Sequence, residues 1–251
     1  MRKLASIVLF LAILSNSFGQ SKNSPLQISH LTGDFYVYKT FHDYNGTLIS
    51  ANALYLVTNK GVVLFDAPWD ETQFQPLLDS IKAKHNKDVV MCFATHSHDD
   101  RAGGLDFYRK KGIKTYTIKL TDQILEKEGK KRAEFIIPND TTFTVGQHTF
   151  EVYYPGKGHA QDNIVVWFNK EKVLYGACFI KSTAAQDLGY LADSDVKEWE
   201  KSIKKVQAKF KNPVYIIPGH EDWTNTQSLN HTLKMVQDYN AAKASGKSVK
   251  K

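Results

Sequence analysis

The stretch Val89-Val90-Met91-Cys92-Phe93-Ala94-Thr95-His96-Ser97-His98-Asp99-Asp100 decides how this chain is read. Its first half, Val89–Ala94, is a short apolar run of the length and composition of a buried strand. Its second half is polar and carries His96, His98 and Asp100 at alternate positions. In an extended segment alternate side chains point to one side. Two imidazoles and a carboxylate on one side of a strand end are a ready metal site. The competing reading is a polar loop with solvated histidines, because a single H-x-H-x-D can arise by chance.

Three further residues sit in matching contexts. His159, in Gly156-Lys157-Gly158-His159, follows the strand-like run Phe150–Tyr154. Cys178, in Tyr175-Gly176-Ala177-Cys178, follows Val173–Tyr175, and His220, in Pro218-Gly219-His220, follows Val214–Ile217. Taken singly, either histidine reads more readily as structural and the cysteine as a small buried hydrophobe. Four strand ends bearing His, His, Asp, His, Cys and His point to metal binding, since loops at strand ends carry function. Six donors are too many for one tetrahedral zinc and enough for two sites of three protein ligands, each with a position open to water. Imidazole and thiolate donors favour zinc over magnesium or calcium.

Working outward, further strand-like runs are Phe35–Thr40, Ala53–Val57, Val62–Phe65 and Ile164–Phe168, and Asn59-Lys60-Gly61 gives a hairpin turn. Helical spacing joins Phe74, Leu77, Leu78 and Ile81. It also joins Val196, Trp199, Ile203, Val206 and Phe210, after the Asp195-x-x-Glu198 start, and then Leu229, Leu233 and Val236. These stripes are core faces. Strands followed by mixed strand–helix units predict an α/β fold of sheets covered by helices. No repeat or linker interrupts the chain from Gln20 to about Tyr239. We therefore expect one domain over residues 20–251, with 240–251 as a frayed tail.

The 251 residues are 42% hydrophobic and 24% charged, which excludes disordered, collagen-like and coiled-coil chains. Residues 1–19 read as a secretory signal: Arg2 and Lys3, an apolar run Leu4–Leu14, then Ser17-Phe18-Gly19 before a cut at Gln20. The apolar run is too short to span a bilayer, which needs ~20 residues. In an oxidising compartment the two cysteines could simply pair. The strand-end setting of Cys178 argues for a metal ligand instead, leaving Cys92 as core. The formal net charge of +7 leaves nucleic acid open as a partner. Arg2 and Lys3 leave with the signal, and Lys243, Lys247, Lys250 and Lys251 crowd the tail, so the folded body is near +1. That is no footprint for nucleic acid.

With all six donors in view, the chain resembles the metallo-β-lactamases, the class B β-lactamases. The cysteine ligand places it in subclass B-one. The flanking residues Val62-Val63-Leu64-Phe65-Asp66-Ala67-Pro68-Trp69, Gly158-His159-x-x-Asp162-Asn163 and Cys178-Phe179-Ile180-Lys181 agree. Tyr44-Asn45-Gly46-Thr47 and Gly219-His220-Glu221-Asp222-Trp223 look most like flavobacterial members. The resemblance runs from about Phe35 to His231. It implies an αβ/βα sandwich with two zinc ions at one edge. His96, His98 and His159 would hold the first ion, and Asp100, Cys178 and His220 the second.

The resemblance further implies hydrolysis of the β-lactam amide of penicillins, cephalosporins and carbapenems, conferring antibiotic resistance, by a periplasmic monomer without a membrane anchor. Asp100 would orient the nucleophilic water while ligating zinc, and Lys181 would clamp the substrate carboxylate, its bland alternative being a solvated surface lysine. Asp66 would support the ligand loops, its alternative being a strand-end turn residue. Residues 43–47 would form a mobile flap. Many members carry Leu-Gly-Asn after the lysine. Here Leu188-Gly189-Tyr190 stands instead, so Tyr190 is the candidate for the asparagine's place beside the substrate.

Two alternatives stand beside this. Thioesterases, lactonases and nucleases of the same fold usually show H-x-H-x-D-H, whereas Arg101 follows Asp100 here, and they lack the cysteine. A non-catalytic exported zinc-binding protein would bind zinc and leave a chromogenic cephalosporin intact.

Overall fold

A computed structural model describes residues 26–246. The expected signal segment and residues 247–251 lie outside the described residues. The first sheet contains β1 (Gln27–Thr32), β2 (Phe35–Tyr44), β3 (Thr47–Thr58), β4 (Gly61–Phe65), β5 (Val89–Phe93), β6 (Lys114–Ile118) and β7 (Phe135–Ile137), in that spatial order. The second contains β8 (Asp140–Val145), β9 (His148–Tyr153), β10 (Val165–Phe168), β11 (Val173–Ala177) and β12 (Tyr215–Pro218), in the order β12-β11-β10-β9-β8. The helices are α1 (Phe74–His85), α2 (Asp99–Ala102), α3 (Leu105–Lys110), α4 (Lys119–Lys127), α5 (Val196–Lys209) and α6 (Ser228–Ala244).

The period-2 alternation of the strands builds the layers. Leu54, Leu56, Val63 and Phe65 face Val152, Val166, Phe168 and Tyr175 across the space between the sheets. Their neighbours Ala53, Tyr55, Val62 and Leu64 point the other way and pack under Phe74, Leu77 and Ile81 of α1 and Leu105 and Tyr108 of α3. On the second sheet Val165, Trp167 and Leu174 pack under Trp199, Ile203 and Val206 of α5 and Val236 of α6. Strands that are apolar on both faces must be covered on both faces. The result is the expected αβ/βα sandwich.

The three expected helical stripes all form. Asp195 caps α5, its carboxylate accepting from Glu198 N at 3.0 Å. Helix α6 continues to Ala244, so residues 240–244 of the expected tail are helical. The flap region is also more regular than a loop: β2 and β3 pair antiparallel up to Tyr44 opposite Thr47, and Asn45 and Gly46 turn with positive φ. No helix among the described residues is long and apolar enough to cross a membrane.

Candidate metal centre

Each predicted donor stands at or just past the end of a strand, on one edge of the sandwich. His96, His98 and Asp100 follow β5, His159 lies between β9 and β10, Cys178 follows β11 and His220 follows β12. Hydrogen bonds between loops gather them. Ile164 N donates to Thr95 O at 2.9 Å, and Asn52 N of β3 donates to Gly219 O at 2.7 Å. The Asn163 amide braces the loop before it by accepting from Ala160 N and donating to Gly156 O. Gly219 is required where it stands, since a Cβ there would lie 2.5 Å from Cys178 N.

The histidine tautomers follow from their outer partners. Thr95 Oγ1 donates to Asp66 Oδ2 at 2.9 Å, so it can only accept from His96 Nδ1, at 3.3 Å. His98 Nε2 donates to Asp193 Oδ2 at 2.7 Å. That leaves His96 Nε2 and His98 Nδ1 as bare lone pairs 3.1 Å apart. Two lone pairs at this distance repel unless a cation or proton lies between them. The third ring, His159, is 5.2 Å from His96 and 5.0 Å from His98 between centroids, and its buried Nδ1 makes no hydrogen bond. Burial lowers the pKa of His96 and of His159, so both imidazoles are neutral and able to bind metal. For His98 burial acts downward too, but the Asp193 bond outweighs it and raises the pKa.

The second group is as tight. Cys178 Sγ lies 3.3 Å from Asp100 Oδ2 and 3.2 Å from His220 Nε2, and the latter two are 3.4 Å apart. His220 Nδ1 donates to Ser50 O at 2.7 Å, which turns a bare Nε2 toward the others. His96 also lies within 4.8 Å of the Asp100 and Cys178 donors, so its ring stands between the groups. His220 Nε2, 3.2 Å from Cys178 Sγ and 3.4 Å from Asp100 Oδ2, faces the same pair of donors from the other loop. Burial raises the Cys178 thiol pKa, against the pull of Arg101. Burial acts upward on Asp100 as well, but Arg101 and His220 hold its carboxyl well below the usual range. An anionic carboxylate, a thiol and bare imidazole nitrogens converging in a buried wall fit a soft divalent cation such as zinc.

Asp66 is fully buried at the end of β4 and accepts from Thr95 N at 2.6 Å, Thr95 Oγ1 at 2.9 Å and Tyr175 OH at 2.5 Å. Burial raises its pKa to about 6, although Arg101 pulls it down. Lys181 is 8% exposed, its Nζ stands 5.7 Å over the Trp199 ring, and it has no ion-pair partner among the described residues. Burial lowers its pKa. Tyr190 is exposed, with its ring 5.7 Å from that of His98. Lys181, Tyr190, His98, Asp100, His159 and His220 all line one cavity of about 860 Å³, which the β2–β3 hairpin and Trp69 border.

The sequence signature of the metallo-beta-lactamase superfamily matches residues 46–220. The chain is 48% identical over 224 residues to a metallo-beta-lactamase type 2 of Elizabethkingia meningoseptica, covering 89% of this chain and 90% of that protein. It is 47% identical over 206 residues to metallo-beta-lactamase IND-1 of Chryseobacterium indologenes, covering 82% and 86%. The chain belongs to the metallo-β-lactamase superfamily. These relatives are flavobacterial enzymes of subclass B-one. The crystal structure of metallo-beta-lactamase IND-7 superposes with a TM-score of 0.83 at 46% identity, over 87% of this chain and all of that one.

Three side chains essential to this metallo-β-lactamase's site geometry carry no motif signal. Arg101 is fully buried and donates to Asn52 O at 2.7 Å, Gly219 O at 2.8 Å and Cys178 Sγ at 3.0 Å, with Nε 3.0 Å from Asp100 Oδ2. Asn52 Nδ2 holds the His220 loop through Pro218 O and Glu221 O, both at 3.1 Å. Asp193 orients His98 from a loop far along the chain. A buried cation beside the motif's Asp was open to notice at Arg101; Asn52 and Asp193 read as ordinary polar residues.

Proposed function

We propose that this metallo-β-lactamase hydrolyses the amide of the β-lactam ring with two bound zinc ions and confers resistance to penicillins, cephalosporins and carbapenems. One observation carries the reading: four of the six donors, His98, Asp100, His159 and His220, line one cavity with a buried lysine that has no ion-pair partner among the described residues, and the donor atoms of His96 and Cys178 lie within 4.8 Å of donors among them. In this proposal His96, His98 and His159 hold one ion, and Asp100, Cys178 and His220 hold the other. Bound zinc would supply a Lewis acid that lowers the pKa of water to about 7.

The protein's own groups do the rest. Lys181 binds the substrate carboxylate, since it has no ion-pair partner among the described residues. Asp100 directs the attacking water through a carboxylate that Arg101 keeps anionic. Asp66 fixes the loop carrying His96 and His98 by holding both the backbone and the hydroxyl of Thr95. Tyr190 offers a hydroxyl at the cavity mouth. Ser182 donates its hydroxyl to Asp222 O at 2.7 Å, so that proton is already engaged by a backbone carbonyl, and no acyl-enzyme is invoked.

The chain is further proposed to be exported, cut before Gln20 and active as a single-domain periplasmic monomer. The test is a hydrolysis panel over the three substrate classes, with and without chelator, alongside metal analysis of the purified protein. The expected outcome is two zinc ions per chain, turnover abolished by chelator, and recovery on adding zinc. Hydrolysis that survives complete chelation would sink the mechanism. Two bound zinc ions with a chromogenic cephalosporin left intact would favour a zinc-binding role.

A further inference from the structure

Strand β2 meets the segment 66–73 through alternate residues of one face. Tyr38 OH donates to Asp66 O at 2.5 Å, Trp69 N donates to Thr40 Oγ1 at 3.5 Å, and His42 Nδ1 stands 3.3 Å from Asp70 Oδ2. A strand presents alternate side chains to one side, so Tyr38, Thr40 and His42 form successive rungs. Between the last two rungs the backbone is clamped as well. The Gln73 amide accepts from Phe41 N at 3.2 Å and donates to Phe41 O at 2.6 Å, and Gln73 is 5% exposed. The His42 ring also stacks on Trp69 at 4.9 Å and 20°, and Trp69 in turn lies edge-on to His220 at 6.1 Å. Asp70 is held for this contact, since its other oxygen accepts from Thr72 N at 2.9 Å and Thr72 Oγ1 at 2.6 Å.

Beyond the His42 rung, ring packing is the hairpin's link to the body among the described residues, with Tyr44 against Trp69. Asp43 Oδ1 accepts locally, from Gly46 N, while Tyr44 and Leu48 are each 49% exposed over the cavity. We infer that His42–Asp70 and the Gln73 clamp form a latch at the root of the flap. The latch confines flap motion to residues 43–48 and thereby sets how tightly substrates bind. His42 and Gln73 are positioning residues: they act through the placement of Tyr44 and Leu48. A flap that is ordered before binding leaves less conformational entropy to lose when the substrate arrives. The inference rests on the proposed β-lactam reading for its effect on turnover, but the latch itself does not.

The test uses the full zinc-loaded enzyme and two variants. His42→Phe keeps the stack on Trp69 and loses the polar rung. Gln73→Met removes the clamp from a residue that does not line the cavity. Amide hydrogen exchange over residues 41–50 is read by mass spectrometry, and kcat and KM are measured on the substrate panel. Losing one such contact corresponds to about a 3- to 10-fold change. Both variants are therefore expected to exchange about 3- to 10-fold faster in the flap and to raise KM by a similar factor, with kcat nearly constant. If Gln73→Met fails to fold, Asp70→Ser replaces it, keeping a cap for Thr72 N without reaching His42. Unchanged flap exchange overturns the latch. So does a KM rise in His42→Phe alone, which would mean direct contact with substrate. If the wild type leaves every β-lactam intact, the function reading falls while the exchange data still decide the latch.

Discussion

Replacing Arg101 by methionine removes the buried guanidinium and keeps most of its aliphatic volume. Asp100 Oδ2, Cys178 Sγ, Asn52 O and Gly219 O each lose a donor at 3.0 Å or less. Neither carbonyl is orphaned, because Gly219 O still accepts from Asn52 N at 2.7 Å and Asn52 O from Tyr175 OH at 3.4 Å, so each lost bond costs about 0.5–1.5 kcal/mol. Breaking the Asp100 pair leaves an uncompensated buried carboxylate, and such a loss costs about 3–5 kcal/mol. These costs do not add, because the variant is also spared the several kcal/mol needed to desolvate the guanidinium, and Asp100 can relieve its charge by taking a proton. A net loss of about 3–5 kcal/mol follows.

For a domain of this size each kcal/mol is worth about 2–4 °C, so the Tm of the chelated variant should fall by about 6–20 °C. Zinc changes the sum. A dication on Asp100 and Cys178 supplies the charge that the guanidinium gave them, so the zinc-loaded variant should lose clearly less. Arg101→Lys should fall between, because a point cation cannot span four acceptors. Calorimetry at neutral pH, with and without chelator, checks each statement. A drop below about 3 °C in the chelated variant, or an equal drop with zinc, refutes the reasoning.

Cys178→Ser should keep the fold and lose most turnover by weakening the second zinc site; full activity in that variant contradicts the assigned role. Asp193→Ala frees the His98 ring from its 2.7 Å partner, and zinc affinity should fall by about 10- to 100-fold in a chelator competition. An unchanged affinity would show that packing alone orients the ring. In α3, hydrogen bonds from Lys110 and Arg109 lower the Asp106 pKa from 3.8 to about 2. A lowered carboxyl pKa stabilises the folded state above the unfolded value, and that contribution is lost as pH falls through about 4 to 2. The partners are solvent-exposed, so the effect is about 0.5 kcal/mol, and the stability gap between wild type and Asp106→Asn should close over that window. A gap that persists at pH 2 would locate the stabilisation elsewhere.

The sandwich was legible where periodicity was strong. Both-face apolar runs such as Val62–Phe65 and the stripe Val196–Phe210 fell where β4 and α5 stand. Strands β6 and β8 were not foreseen, because LysThrTyrThrIle and AspThrThrPheThrVal carry little apolar contrast and owe their state to neighbours in the sheet. Helices α2 and α3 are too short to show a stripe. The donors were legible for a local reason: each follows closely on one of four strands, so the sequence around it already states where it stands.

What holds the donors together is not local. Arg101 meets Asn52 O across 49 residues of sequence and Gly219 O across 118, and the partners are backbone carbonyls, which have no residue identity to read. The same holds for Asp193, 95 residues from His98. A ligand can be recognised from its own chemistry. A group that balances the ligand's charge or fixes its tautomer is recognised only by what it faces. Arg101 has a second consequence. It sits beside Asp100 and Cys178, so it stabilises the anionic carboxylate and favours the thiolate. The position just after the motif's Asp therefore carries a fixed cation in this chain, and the affinity of the second zinc site depends on the balance between that cation's help in ionising the ligands and its repulsion of the incoming ion.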